Sequence, residues 1–131
     1  MATFLKSTEI PTHGAHTLPR EYFTSPDLLG EEMEKIFLQR WLCVGREDRI
    51  PNPGDWFTQA VGSESVIVLR DRAGTLRAYF NVCRHRGTRI CEEHSGRFSE
   101  TIQCPYHAWT WTLDGRLIGA PSTGDLEGFD K

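Results

Sequence analysis

The runs Cys83-Arg84-His85 and Cys104-Pro105-Tyr106-His107 each place one thiol and one imidazole on a short stretch of chain. Eighteen residues separate His85 from Cys104, which is enough for a hairpin that returns the second run to the first. Thiolate and imidazole are ligands that zinc and iron prefer over oxygen donors in many protein sites. The two runs therefore predict a metal centre held by two cysteines and two histidines.

Two kinds of metal centre use this donor set. One is a tetrahedral Cys₂His₂ zinc site, and the other is a 2Fe–2S cluster in which one iron takes two cysteines and the other two histidines. The C-x-H spacing is tighter than the usual zinc knuckle, which favours the cluster. Cys91 and His94 lie between the two runs, but four donors complete the ligand set without them. We therefore expect core or surface roles for Cys91 and His94.

The residues around both runs resemble the ligand loops of Rieske non-haem iron oxygenases of the ring-hydroxylating type. The resemblance is carried by Asn81-Val82-Cys83-Arg84-His85-Arg86-Gly87 and by Cys104-Pro105-Tyr106-His107-Ala108-Trp109. It implies the N-terminal Rieske domain of an oxygenase α subunit and a Rieske-type 2Fe–2S cluster as cofactor. In that family Cys83 and Cys104 would bind the buried iron, and His85 and His107 the outer iron.

Charge explains what the histidines would do for such a cluster. Two ferric ions, two sulfides and two thiolates sum to zero when the imidazoles are neutral, so reduction is easier than for an all-cysteine cluster. The expected potential lies in the range of about −150 to +300 mV, against about −400 mV for plant-type ferredoxins. High-potential relatives carry extra cysteines and a serine near the cluster, where this chain has Thr88, Tyr106 and Trp109. Fewer hydrogen bonds to sulfur favour the low end of the range.

From Arg40 onward, short β-rich runs separated by turn residues predict antiparallel strands. With the resemblance, this pattern predicts a mainly β fold, a small Rieske-type barrel or sandwich with a metal-binding subdomain of two ligand loops. Asp114-Gly115 is typical of a tight type I′ hairpin, and Cys43 is expected to be a small buried side chain within a strand. The predicted strands are residues 41–44, 55–61, 65–69, 76–82, 109–113 and 116–118.

An N-terminal arm and one helix are predicted ahead of these strands. Residues 1–24 carry proline and glycine punctuation typical of an extended arm. Ser25-Pro26 is a helix start signal, and residues 26–39 are the expected helix. Its apolar stripe, expected to dock on the protein, is Leu29, Met33, Ile36 and Phe37. We expect residues 1–40 to form this arm and helix, and residues 41–131 to form the Rieske 2Fe–2S domain.

Composition narrows the function further. The 131 residues are 38% hydrophobic and 25% charged, and their net charge of −3 argues against a nucleic-acid binder. We find no apolar run of about 18 residues, so no membrane span is expected. The segment Met1–Lys6 lacks the layout of a secretion signal, which predicts a cytoplasmic location. The four cysteines are accordingly not expected to form disulfides.

The resemblance also implies partners. Family members take electrons from a ferredoxin or flavin reductase and pass them to a mononuclear iron, held by two histidines and a carboxylate in the C-terminal domain of a neighbouring subunit. The sequence stops near Gly124–Lys131, before such a domain, so we expect no hydroxylase turnover by this chain alone. Family oxygenases are often trimers, which makes a homotrimer an expectation, and oxygenases of aromatic acids and of quaternary amines resemble the N-terminal half equally. The alternative is a stand-alone Rieske ferredoxin, disfavoured by the 40 residues that precede the first strand of the Rieske domain.

Overall fold

The described residues form seven strands, arranged in two antiparallel sheets. The computed structural model describes residues 14, 17–124 and 128–129. The strands are β1 (Asp55–Val61), β2 (Glu64–Arg70), β3 (Leu76–Phe80), β4 (Ser95–Arg97), β5 (Thr101–Gln103), β6 (Thr110–Thr112) and β7 (Leu117–Gly119). The larger sheet has the order β3-β2-β1-β4 and the smaller sheet the order β5-β6-β7. The mainly β, antiparallel prediction is confirmed, and the described strands do not close into a barrel.

One of two apolar clusters among the described residues joins the two sheets. Side chains alternate between the faces of a strand, so Ile67 and Leu69 of β2, both 0% exposed, point to one side and Val68 to the other. The first side packs against residues in and beside the smaller sheet, and the second packs against Ile50 in a separate cluster. The inter-sheet core comprises Trp56, Ile67, Leu69, Cys91, Ile102 and Leu113. Because this core fixes the smaller sheet against the larger one, it also fixes the loops that each sheet carries.

The helix predicted over residues 26–39 begins at Pro26 as expected, but its α-helical part ends at Glu32. Helix α1 (Glu21–Thr24) corrects part of the predicted arm, whereas residues 1–13 and 15–16 of that arm lie outside the described residues. Helix α2 (Pro26–Glu32) has Ser25 as its cap, with the Ser25 hydroxyl accepting from the Leu28 N–H at 3.4 Å. It widens into a π-helical turn, Met33–Phe37, instead of continuing as an α-helix to residue 39. No described helix combines the length and the apolar character needed to cross a bilayer.

Most of the predicted apolar stripe does not dock. Leu29 is 54% exposed and Ile36 47% exposed, and α2 and the π-helical turn bury no residue. Met33 and Phe37 line a hollow beside β1, and Met33 lies so close to Gly62 that a side chain there would collide with it. The expectation of a docked stripe is therefore wrong for this structure.

Two further local predictions are wrong. Residues 41–44 form no strand, and Cys43 is exposed rather than buried. At the β6–β7 hairpin only Gly115 has a positive φ, of 93°, whereas a type I′ turn needs two such residues. The Thr112 N–H donates to the Arg116 carbonyl at 2.9 Å, so the loop has three residues with glycine in the left-handed position.

An ion pair across β1 and β4 gives a prediction about acid stability. Asp55 accepts a hydrogen bond from Arg97 Nε at 2.5 Å, and this bond, more than those from Asn52, lowers the pKa of Asp55 to about 2. A lowered pKa stabilises the fold above the unfolded value near 4, and the contribution disappears as the pH falls from about 4 to about 2. Because Arg97 is partly exposed, we expect this ion pair to contribute about 1 kcal/mol to the free energy of unfolding.

Asp55→Asn tests this contribution. The urea unfolding midpoint of the wild type should fall between pH 5 and pH 3 by more than that of Asp55→Asn, and an equal fall in both proteins would contradict the prediction. Glu64→Gln, an exposed change at the start of β2, is the control.

Candidate metal centre

The two ligand runs lie on loops from different sheets. The first loop, residues 83–88, follows β3 of the larger sheet, and the second, residues 104–109, connects β5 to β6 of the smaller sheet. The inter-sheet core includes Ile102 of β5 beside residues of β1 and β2. Packing of the sheets therefore brings the two loops together.

The loops share one backbone frame. In the first, the Cys83 N–H donates to the Thr88 carbonyl at 2.7 Å and the Gly87 N–H donates to the Cys83 carbonyl at 2.8 Å. In the second, the Cys104 N–H donates to the Trp109 carbonyl at 2.8 Å and the Ala108 N–H to the Cys104 carbonyl at 3.1 Å. The fifth residue of each frame has a positive φ, 74° at Gly87 and 56° at Ala108. Each cysteine is thus held by the hydrogen bonds that close its own loop.

This shared frame predicts opposite effects of exchanging glycine and alanine. A left-handed conformation costs a residue with a Cβ about 1–2 kcal/mol, of which the greater freedom of unfolded glycine cancels about 0.5–1 kcal/mol. A Cβ added at Gly87 would meet no atom within 4 Å, so only the backbone conformation matters there. Gly87→Ala should therefore destabilise the fold by about 1 kcal/mol, and Ala108→Gly should stabilise it by about 0.5 kcal/mol. Urea unfolding measures both, and a stabilised Gly87→Ala protein would contradict the shared frame.

The four donors come together as two chemically matched pairs. Cys83 and Cys104 are 1% and 2% exposed, and the Cys104 thiol is near enough to raise the pKa of Cys83. The rings of His85 and His107 stand edge to face with centroids 4.8 Å apart, and both are half-buried. Among the described residues, no group of three or more His, Cys, Asp or Glu side chains is placed to hold a single metal ion. Because the thiols are almost fully buried and the imidazoles only half-buried, the sulfur donors lie inside and the nitrogen donors lie towards the solvent.

The ionisation of the donors follows from their surroundings. Burial, and then the neighbouring Cys104 thiol, raise the pKa of Cys83, whereas the backbone N–H groups of His85 and Arg86 act in the opposite direction. Burial lowers the pKa of His85, with smaller contributions from His107 and Arg86. A lowered pKa keeps the His85 imidazole neutral at pH 7, which is the form that binds a metal.

An orphaned nitrogen tests whether the site fits a metal cofactor. His107 Nδ1 is buried and has no hydrogen-bond partner within the described part of the chain. A buried polar atom without a partner is costly, and bonding to a metal removes that cost. The donor chemistry agrees, since two thiols and two imidazoles match a cluster with one iron for each pair. The residues present therefore fit a 2Fe–2S cluster.

Sequence reasoning missed the residue that ties down the first loop. Asn81 is 5% exposed, and its amide oxygen accepts from the Ile90 N–H at 3.1 Å and the Cys91 N–H at 2.8 Å. Its amide nitrogen donates to the Cys91 carbonyl at 2.7 Å and to the Ser65 hydroxyl at 3.2 Å. Asn81 therefore joins the chain before the loop to the chain after it. The only signal in the sequence was its place two residues before Cys83.

The other two candidate donors between the loops do not join the site. Cys91 lies in the inter-sheet core, where burial raises its pKa to about 11, so it stays a neutral thiol. His94 is exposed, and its carbonyl accepts from the Thr58 N–H at 2.9 Å. No disulfide is formed by the four cysteines. These placements agree with the core and surface roles expected for Cys91 and His94.

Comparison with known proteins identifies relatives of the same kind. The chain is 43% identical over 107 residues to the glycine betaine monooxygenase oxygenase subunit of Chromohalobacter salexigens, covering 82% of this chain and 24% of that protein. It is 39% identical over 117 residues to the carnitine monooxygenase oxygenase subunit of Acinetobacter baumannii, covering 89% of this chain and 31% of that protein. The chain therefore spans about a quarter to a third of the length of these curated relatives.

A solved structure and a family model agree with these relatives. The quaternary ammonium Rieske monooxygenase CntA in complex with L-carnitine superposes with a TM-score of 0.80 at 39% identity, over 86% of this chain and 32% of that one. The model of the Rieske [2Fe-2S] domain matches residues 40–130. This match favours the iron–sulfur cluster over the zinc alternative. The chain belongs to the Rieske [2Fe–2S] domain family, in the form found in oxygenase subunits, and its cofactor is a Rieske-type 2Fe–2S cluster.

Proposed function

We propose that Cys83, His85, Cys104 and His107 hold the cluster and that residues 41–131 form the one-electron-transfer domain of a Rieske oxygenase subunit, preceded by an arm and helix in residues 1–40. The observation that carries the assignment is the pairing of buried thiols and half-buried imidazoles, with His107 Nδ1 left for a metal. When bound, the cluster supplies one-electron redox chemistry.

The placement of the donors supports electron exchange on the histidine side. Cys83 and Cys104 are enclosed by protein, whereas His85 and His107 lie at the surface end of the two loops. The exposed Tyr106 ring lies against His107, with centroids 3.7 Å apart. We assign the short route for electrons to these imidazoles, because the two thiols are almost completely buried.

Three exposed arginines on the first loop and just after it support an electron donor with an acidic surface. Arg84, Arg86 and Arg89 are exposed, and none forms an ion pair with a described residue. Uncompensated positive charge steers the approach of a negatively charged partner. We assign this surface to docking of a ferredoxin or flavin reductase.

The remaining partners are proposed from the likeness to oxygenase subunits. We propose that the electron acceptor is the mononuclear iron domain of an oxygenase, in a protein that forms a homotrimer. Iron–sulfur ligation by thiols that are not joined as disulfides suits a reducing compartment, and a cytoplasmic location stays part of this proposal.

Electron transfer from an acidic plant-type ferredoxin tests the proposal. Mixing the reduced ferredoxin with the oxidised holoprotein in a stopped-flow instrument should reduce the cluster by one electron per chain. The rate should fall as salt is raised from low to physiological ionic strength, because salt screens the approach of opposite charges. Arg86→Gln combined with Arg89→Gln should lower the low-salt rate by about tenfold.

The control for this experiment is an arginine elsewhere on the surface. Arg46→Gln removes an exposed charge that is paired with Asp48, and it should leave the rate unchanged. A rate that does not depend on salt, or an equal loss in Arg46→Gln, would contradict docking at the arginines. Failure of the holoprotein to accept any electron would contradict the proposed function itself.

A further inference from the structure

Trp109 lies flat against one of the proposed iron ligands. Its indole ring is stacked on the His85 imidazole with an interplanar angle of 4° and centroids 5.0 Å apart. The two residues belong to different loops, so the stack crosses the metal centre from the smaller sheet to the larger one. Offset parallel stacking of this kind is a favourable arrangement of two aromatic rings.

The indole is itself held in place. Trp109 packs against Trp111, with centroids 6.3 Å apart, and against Phe129, with centroids 5.8 Å apart. Its backbone carbonyl closes the second loop by accepting from the Cys104 N–H at 2.8 Å. A ring supported in this way can restrain the histidine that it touches.

The polar edge of the indole is buried at the same place. Trp109 Nε1 has no hydrogen-bond partner among the described residues, and the other buried side-chain atom in that condition is His107 Nδ1. Trp109 therefore presents two features to the metal centre: the ring face that lies on His85 and the buried N–H.

We propose that Trp109 is a positioning residue whose ring face fixes the plane of the His85 imidazole, keeps water from it and thereby holds the reduction potential low. This inference rests on the proposed ligation by His85. An electron-rich indole face favours a more positive imidazole, which is the condition of the oxidised site. Excluding water disfavours the reduced site, which carries one more negative charge. Both effects favour oxidation, so loss of the ring should raise the potential.

Side-chain replacements separate the ring face from the N–H. Trp109→Leu removes both, and Trp109→Phe keeps a flat ring while removing the N–H. At a fixed solution potential, Trp109→Leu should increase the ratio of reduced to oxidised protein by about tenfold, which is about 59 mV for a one-electron couple. Trp109→Phe should stay within about twofold of the wild type. Trp109→Met also fills the space without a flat ring and should give the same tenfold increase. It takes the place of Trp109→Leu if the leucine variant does not retain iron.

Pulsed EPR of the reduced proteins supplies a second readout. Trp109→Leu should broaden the coupling from one of the two histidine nitrogens, because the His85 ring then samples several planes, and leave the other unchanged. Trp41→Leu, the same replacement at a fully exposed indole, should leave both potential and couplings as in the wild type.

The outcomes separate this inference from the function on which it rests. A leucine variant with cluster, wild-type potential and sharp couplings would overturn the positioning role and leave the proposed function standing. Equal shifts in the phenylalanine and leucine variants would also overturn it, because the N–H would then be the part that acts. A wild-type protein without nitrogen coupling would overturn the proposed ligation.

Discussion

Cys104→Ser is expected to yield a colourless protein that retains little iron after anaerobic reconstitution. Cys104 is 2% exposed at the inner end of its loop, and its backbone bonds to Trp109 and Ala108 survive the change. The fold should therefore persist while one thiolate of the inner pair is lost. An alkoxide is a poor substitute for a thiolate on iron, since serine does not ionise near neutral pH. Visible absorption with iron and sulfide analysis measures the loss.

The chain supplies matched controls for this change. Cys91 is also buried, at 5% exposed, but it lies in the inter-sheet core with a pKa of about 11. Cys91→Ala should keep the two irons and two sulfides of a Rieske cluster, and so should Cys43→Ala at the exposed cysteine. Full cluster in Cys104→Ser, or loss of the cluster in Cys91→Ala, would show that the ligands were assigned to the wrong residues.

Asn81→Ala is expected to destabilise the protein by about 3–4 kcal/mol. The change leaves the N–H groups of Ile90 and Cys91 and the Cys91 carbonyl without their partner. Each unsatisfied buried group costs about 1–3 kcal/mol, and entering water offsets part of that sum. A typical domain has only about 5–15 kcal/mol of stability, so the urea midpoint should fall steeply. The first ligand loop should also lose iron faster, because Asn81 joins its two ends.

An exposed amide provides the comparison. Gln103→Ala removes one surface hydrogen bond, from Gln103 Nε2 to the Thr110 hydroxyl at 3.3 Å, and should change stability by less than about 0.5 kcal/mol. Asn81→Asp keeps the shape of the side chain but removes its two donors, and it should be destabilised as well. An Asn81→Ala protein within about 1 kcal/mol of the wild type would contradict the joining role.

The sequence predicted the parts of the fold that depend on local pattern. The runs rich in β-branched and aromatic residues at residues 55–61 and 65–69 predicted the positions of β1 and β2 within one residue at each end. The ligand runs were predicted as two neighbouring loops, because each run is short and the 18 residues between His85 and Cys104 are enough for a hairpin. The first run also contains a glycine, Gly87, which adopts the left-handed conformation that closes its loop, at a φ of 74°.

What the sequence could not predict depends on tertiary neighbours. β4 and β5 have three residues each and gain their pairing from other strands, with Asp55 opposite Arg97 in the register of β1 and β4. The exposure of Cys43 follows from the absence of a strand over residues 41–44, which no pattern of four residues determines. Ala108 is the clearest case at the site. Alanine gives no sign of a left-handed conformation, and only comparison of the two loops reveals it.

Pulsed EPR of the dithionite-reduced wild-type protein tests the central claim most directly. If His85 and His107 hold one iron while Cys83 and Cys104 hold the other, each chain should carry one unpaired electron coupled to two histidine nitrogens. His107→Ala should abolish the signal or reduce it to a single nitrogen. A reduced cluster with no nitrogen coupling, or reconstituted protein that contains no iron, would contradict the account.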